Sequence, residues 1–460
     1  METPEKSSKK LKVNWQKKVS AEDFDKLSEQ SKSFCPLLYY HSTIDTVGNQ
    51  KLCCIATPPP NSIKVSKSNN SIEEWWNSNY LKKSRKMLGS NSYPVECIEC
   101  KEKDDIGIPS FRSQKVDSIR NDKQLRTYIY NEANKAIKNN FITPSPAPIN
   151  FDIKFGNLCN LKCRMCDYMS SSQILKEIIS NPELEEFSRG DANRILEVAE
   201  DKHLNFRYFE KDNFIESFEK VIDNTVFLKF TGGEPLLISN LFKVLKRLID
   251  KKLSKEIQLH IITNATKITK EMIEDYFVHF KNVALSISLD GYGSSYEYVR
   301  YPARWKVIEN ALELIKKHSD TITLDFSITF QTYTVISMIK QFEFMAKYAI
   351  ETDLNESGTH PSYVSMPKYL DIKLLPNAVK DKLINIYKSS DIINQLPKGF
   401  KKDWTNKIKY LSYRNKKEDD LVAIKDFVRY TNALDKIRKQ KFKDSCPEEW
   451  ELLKEYFNDQ

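Results

Sequence analysis

The chain has 460 residues, 40% of them hydrophobic and 29% charged, with a formal net charge of +9. That balance excludes a disordered polyelectrolyte and suits a globular chain of two or three domains. No run approaches the roughly 18 apolar residues that span a bilayer, and METPEKSSKKLKVNWQKK at the N-terminus lacks a secretory apolar core, so a cytoplasmic protein is expected. The positive charge is spread over Lys- and Glu-rich sequence without an aromatic-interleaved basic motif. It reads as solvated surface, with neither membrane nor nucleic acid as the expected partner.

In chain order, residues 1–33 read as a tail with one short helix. Residues 34–100 are loop-rich, broken by TPPPNS at 57–62, with an amphipathic helix over SIEEWWNSNYLKKSRKML. A further helix is expected over about 117–139, and TPSPAP at 143–148 reads as a linker because its prolines forbid a helix. Beyond it, β-branched and aromatic runs alternate with helix-period text. The runs are NFDIKF (150–155), TVFLKF (225–230), IQLHIIT (257–263), VALSISL (283–289) and ITLDFSITF (322–330), with a sixth near SYVSMPK or YLDIKLL. Repeated β-α units predict an α/β fold, a partial (β/α)6 TIM-like barrel over 149–370 with chemistry at the C-terminal ends of its strands. A helical insertion is expected over 170–222 and a helical C-terminal extension over 371–460.

Nine cysteines carry most of the chemical information. In a reducing compartment free thiolates are available as metal ligands. Eight precede residue 167; Cys446 stands alone and reads as a small buried hydrophobe. GNLCNLKCRMCDY places Cys159, Cys163 and Cys166 in a CxxxCxxC spacing after the first barrel strand. Three such thiolates can ligate three irons of a 4Fe–4S cubane and leave the fourth iron open. Thr231-Gly232-Gly233-Glu234-Pro235 follows the next strand, and paired glycines permit close approach of a ligand.

These two motifs, one β-α unit apart, resemble the radical S-adenosylmethionine (SAM) superfamily, and the likeness extends over about 149–370. The resemblance implies a site-open 4Fe–4S cluster on Cys159, Cys163 and Cys166. It also implies SAM contacts from Gly232, Gly233 and Glu234. With them come polar groups at the strand ends (Thr263, Asn264, Ser286, Ser288, Asp290) and a charged partner, Arg300, for the SAM carboxylate. Two details depart from the family: Met165 stands where an aromatic often precedes the third cysteine, and QTYTVIS replaces the glycine-rich adenine element. The family further implies an external electron donor of flavodoxin or ferredoxin type.

Cys35, Cys53, Cys97 and Cys100 form a second set. Four thiolates can close a 4Fe–4S cluster or an all-cysteine zinc site. Cys, then GxxxxC, then a distant CxxC resembles the twitch domain, the shorter relative of SPASM, here over 34–142 and ahead of the barrel. The resemblance implies one auxiliary 4Fe–4S cluster engaged in electron transfer, with Cys53 preferred to Cys54 because it fits GxxxxC. The expected function is reductive cleavage of SAM to a 5′-deoxyadenosyl radical that abstracts hydrogen from substrate, with a peptide or protein side chain favoured. The alternative is a zinc-binding, nucleic-acid-associated protein that is not an enzyme. His41, His203, His260, His279, His318 and His360 are scattered, and no catalytic acid or base is assigned.

Overall fold

The computed structural model describes residues 18–60, 62–107, 109–142, 147–188, 192–200, 206–351, 359–416 and 419–458. The first 17 residues and most of the proline linker lie outside them. The chain divides into two compact units, one within 1–156, 205–232 and 247–259, the other within 157–204, 233–246 and 260–460.

The first unit carries β1 (His41–Ile44), β2 (Gln50–Lys51), β3 (Asn150–Phe155), β4 (Phe227–Gly232) and the start of β5 (Gln258–Thr263). Their order is β2-β1-β3-β4-β5. The β1–β3 and β3–β4 pairs are parallel, and β1–β2 is antiparallel. Strands β1 and β2 come from a stretch that reads as loop. Alternation decides the two faces. Phe151, Ile153, Phe155, Leu228 and Phe230 are buried, with Phe155 stacked on Phe230 and edge-on to Phe209 and Phe214. The other face presents His41, Thr43, Asp152, Lys154 and Lys229.

The helices of this unit break where short polar side chains satisfy orphan N–H groups. The helix expected over 71–88 is two, Ser71–Trp76 and Asn79–Leu88, because Ser78 accepts from Leu81 N. The one expected near 117–139 is likewise Phe111–Asn121 and Lys123–Lys138, divided at Asp122, which caps Gln124 and Leu125. Helix Ala21–Glu29 inserts Phe24 and Leu27 into the same core as Trp75, Trp76, Ile119 and Ile129.

The second unit carries the end of β5, then β6 (Asn282–Ser288), β7 (Ile322–Phe330) and β8 (Thr359–Tyr363), in the order β5-β6-β7-β8. The β6–β7 and β7–β8 pairs are parallel. The sixth expected strand is thus β8, overlapping SYVSMPK, while YLDIKLL folds as the short 3-10 turns Lys368–Leu370 and Ile372–Leu374. Helices Asn377–Ser389, Lys398–Leu411, Val422–Arg438 and Pro447–Leu453 make up most of the C-terminal extension. Phe427, Phe442 and Tyr333 pack there with ring centroids 4.8–5.8 Å apart. The fold is α/β with a mostly parallel sheet. Among the described residues no helix is long and apolar enough to cross a membrane.

Candidate functional site

The loop that follows β3 is held by its own backbone and by the segment after helix Ser294–Val299. Cys166 N–H donates to the Cys163 carbonyl (3.0 Å), closing the second half of CxxxCxxC into a turn. Lys162 N–H donates to the Tyr301 carbonyl (2.6 Å) and Arg164 N–H to that of Val299 (2.9 Å). This two-rung ladder sets Arg300 against Cys163, whose sulfur lies 3.9 Å from Nη1 of that guanidinium. The Cys159 sulfur accepts from Leu161 N–H at 3.4 Å. Burial is the main cause holding these thiols in their neutral form: it pushes Cys159 up to about 12, and raises Cys163 and Cys166 as well.

Arg300 donates to Asp290 Oδ2 through Nε (2.8 Å) and Nη2 (2.6 Å), and Asp290 Oδ1 accepts from Thr329 N–H. Both side chains are almost fully buried, and Asp290 with Cys163 keeps the guanidinium charged against the burial that opposes it. The expected SAM-carboxylate partner is therefore committed to an ion pair and a thiol, with one edge of its fork in use on each side.

Gly232 and Gly233 are required by the chain itself. Gly232 has φ +134°, and a β-carbon there would stand 2.9 Å from Phe155 N and O; one on Gly233 would stand 2.3 Å from Leu158 O. The glycines let backbone approach backbone, and Gly232 takes the backbone geometry closed to other residues that paired glycines permit. Glu234 is fully buried, and burial raises its pKa against the hydrogen bonds that favour the carboxylate. Oε1 accepts from Leu236 N–H (3.0 Å) and Thr263 Oγ1 (2.7 Å), and Oε2 from Asn264 N–H (2.7 Å). Glu234 N–H in turn donates to Leu158 O at 2.8 Å. This residue fastens the end of β5 to the cysteine loop.

Asn264 donates to Asn160 Oδ1 (3.0 Å), which lies between the first two cysteines, and accepts from Thr266. Ser286 meets His260 Nε2 at 2.7 Å. Ser288, one turn of the pleat further on, is half-buried on the same side of β6. The second unit thus gathers Cys159, Cys163, Cys166, Gly233, Glu234, Asn264, Asp290 and Arg300 through linked contacts. Gly232 belongs to the first unit.

The sequence reading missed Arg164. It stands between the second and third cysteines in sequence, and its guanidinium is fully buried, 3.6 Å over the Tyr298 ring and 2.7 Å from Asp435 of helix Val422–Arg438. Gln440 accepts from it at 3.1 Å, and Tyr430 OH donates to its carbonyl at 2.9 Å. From the same helix Arg438 pairs with Glu177 (2.6 Å), which also takes Lys162 (3.2 Å). The one available signal was a cation inside CRMC; its partners are too distant in sequence to read.

In the first unit, Cys35, Cys53, Cys97 and Cys100 line one small space together with Leu37, Leu52 and Phe111. Cys54 is absent from that lining; its nearest charged influences are Asp152, Lys229, Lys154 and Lys115. Burial, then Cys53 and Cys97, raises the Cys35 pKa; burial first also pushes Cys53 up to about 11 and Cys97 to about 12. Among the described residues no three His, Cys, Asp or Glu side chains are grouped to hold a metal ion. Both thiol sets nevertheless have the soft-donor chemistry of iron–sulfur ligation, and two sulfurs of the Cys159, Cys163 and Cys166 set already accept N–H donors.

Residues 153–344 match the model of the Radical SAM superfamily. This stretch contains the CxxxCxxC loop, the Gly-Gly-Glu element, Asn264, Ser288, Asp290 and Arg300. Solved structures similar to the chain include Streptococcus suis SuiB bound to S-adenosylmethionine (17% identity, TM-score 0.33, 68% of this chain and 63% of that one). Native anSMEcpe with bound AdoMet (19%, 0.29, 52% and 60%) and TYW1 with a lysine-pyruvate adduct bound (13%, 0.25, 51% and 70%) are also similar. The chain spans less than two thirds of the length of the first two. No curated protein matches it.

Proposed function

We propose that the chain is a radical SAM enzyme acting on an unidentified substrate, with a peptide or protein side chain favoured, and that the radical SAM domain folds as a partial barrel. The observation that carries this reading is the anchored three-thiol loop inside a radical SAM domain, with Glu234 tying the loop to the strand end where SAM contacts are expected. Cys159, Cys163 and Cys166 would hold three irons of a 4Fe–4S cluster, leaving one iron for SAM. When bound and reduced, cluster and SAM supply a 5′-deoxyadenosyl radical that takes hydrogen from substrate. Arg300 places a fixed cation beside Cys163, where thiolate charge develops. Asp290 holds that cation in position. Burial keeps water from the Cys159 thiol and from the Glu234 carboxylate.

The four thiols of the first unit support a twitch-like auxiliary cluster with no open iron, suited to electron transfer, and an electron donor of flavodoxin or ferredoxin type would serve the barrel cluster. The placement of Cys53, and not Cys54, in that space favours the Cys53 ligand set. Anaerobic reconstitution tests the reading. Brown protein with about eight irons per chain, releasing 5′-deoxyadenosine with dithionite and SAM, is expected. Colourless protein that carries zinc and leaves SAM intact would overturn it.

A further inference from the structure

Strands β2, β1, β3 and β4 align one residue each in a single row: Lys51 opposite Thr43, Thr43 opposite Asp152, and Asp152 opposite Lys229. Residues directly opposite in a sheet share a face. The next residues along that face are Lys154 and Thr231, again opposite each other. Lys115, from helix Phe111–Asn121, reaches the same place: burial holds its ammonium below the usual lysine range, with Cys54, Lys229 and Asp152 as its charged neighbours.

A parallel sheet is ordinarily apolar on both faces. Here one face is apolar and packed, and the other is polar yet largely enclosed, with Thr43 at 0% and Asp152 at 3% exposure. Among the described residues, the four lysines share this face with one carboxylate, Asp152, whose Oδ2 takes Lys229 at 3.1 Å. Asp45, the other acid near Lys51, is consumed capping its own turn at Val47 and Asn49. Among the described residues, Asp152 Oδ1 is buried with no hydrogen-bond partner, and so is Thr231 Oγ1. Crowded like charges and orphaned buried polar atoms are both costly unless a ligand satisfies them.

We propose that this face is an anion-binding site, in which Lys51, Lys115, Lys154 and Lys229 receive a carboxylate or phosphate while Asp152 Oδ1 accepts from a hydroxyl or N–H on the same ligand. The anion with an adjacent donor is either a free hydroxy acid or an acidic residue with its peptide N–H. That it holds the substrate rests on the reading above; that it binds anions does not.

Calorimetric titration of the full reconstituted chain at low ionic strength, without reductant or SAM, tests it with L-malate, succinate and acetyl-Gly-Asp-Gly-amide. Malate or the peptide is expected to bind, with succinate at least about tenfold weaker than malate because it leaves Oδ1 unpaired. Lys154→Gln and Lys115→Gln, both half-exposed positions, should each weaken binding about tenfold or more. Asp152→Asn should erase the preference for malate over succinate. Tighter binding of the peptide assigns the anion to a peptide substrate, and tighter binding of malate to a free acid. No binding of either below about 10 mM, or binding unchanged in both lysine variants, overturns the proposal. A chain that binds these probes but releases no 5′-deoxyadenosine would keep the site and overturn the proposed reaction.

Discussion

A β-carbon on Gly233 would stand 2.3 Å from Leu158 O and 2.6 Å from Leu158 C, so Gly233→Ala must move the backbone just ahead of Cys159. Overpacking of that kind costs about 1–3 kcal/mol. We expect a lower urea midpoint and, in the folded fraction, reduced iron retention; an unchanged midpoint with full iron would show that the loop can give way. Glu234→Gln removes no volume but replaces an acceptor by a donor in a carboxylate that accepts from Leu236, Thr263 and Asn264. One donor then faces another, at about 1–3 kcal/mol, and the same denaturation measurement reads it. The cysteine spacing was legible because its ligands are local. The glycine pair was legible as a motif, but its cause was not: the crowding atoms belong to Phe155 and Leu158, on the preceding strand and loop. Arg300 was legible as a charged residue near the site, but its partner Cys163 is 137 residues away.

Helix Val422–Arg438 acts on the cysteine loop through Asp435 with Arg164 and Arg438 with Glu177, contacts spanning 271 and 261 residues. No periodicity in a charged helical extension reports such pairings, whereas the five strands from NFDIKF to ITLDFSITF announced themselves by β-branched and aromatic alternation. Strands β1 and β2 went unread because four and two residues are too few to show a period. Breaking a buried pair by removing one partner costs about 3–5 kcal/mol. Asp435→Asn, which leaves the buried Arg164 uncompensated, should therefore lower stability by that order and loosen the loop, read as faster iron loss to a chelator. Arg438→Gln tests the second tether through pH. Burial raises the Glu177 pKa, but the hydrogen bonds and charge of Arg438, then Lys162, outweigh it and hold the carboxyl below its ordinary 4.5. A depressed carboxylate contributes stability above about pH 4.5 and loses it as pH falls through the folded value. Arg438→Gln should lose stability at pH 7 and show a shallower further loss below pH 4.5, measured as urea midpoints from pH 7 to 3.

The two thiol sets share no residue and lie in different compact units: Cys35, Cys53, Cys97 and Cys100 in the first, Cys159, Cys163 and Cys166 in the second. Substitutions with no shared partner behave independently. Cys97→Ala with Cys100→Ala should therefore remove about four of about eight irons and leave SAM cleavage by the barrel loop in place, while altering the fate of the substrate. Cys163→Ala should remove the other four and abolish 5′-deoxyadenosine release, because one of the three cluster thiolates is lost; it also strips Arg300 of the sulfur beside it. Combining the substitutions should give additive iron loss. Iron and sulfide analysis with electron paramagnetic resonance after reduction checks each step. If Cys97→Ala and Cys100→Ala together left all iron in place, the four-thiol space would hold no cluster; if they left product formation unchanged, a cluster there would have no part in electron transfer. On the proposed reading, the three-thiol loop of the second unit would leave one cluster corner for SAM, whereas four thiols would close a cluster completely and suit it to passing electrons.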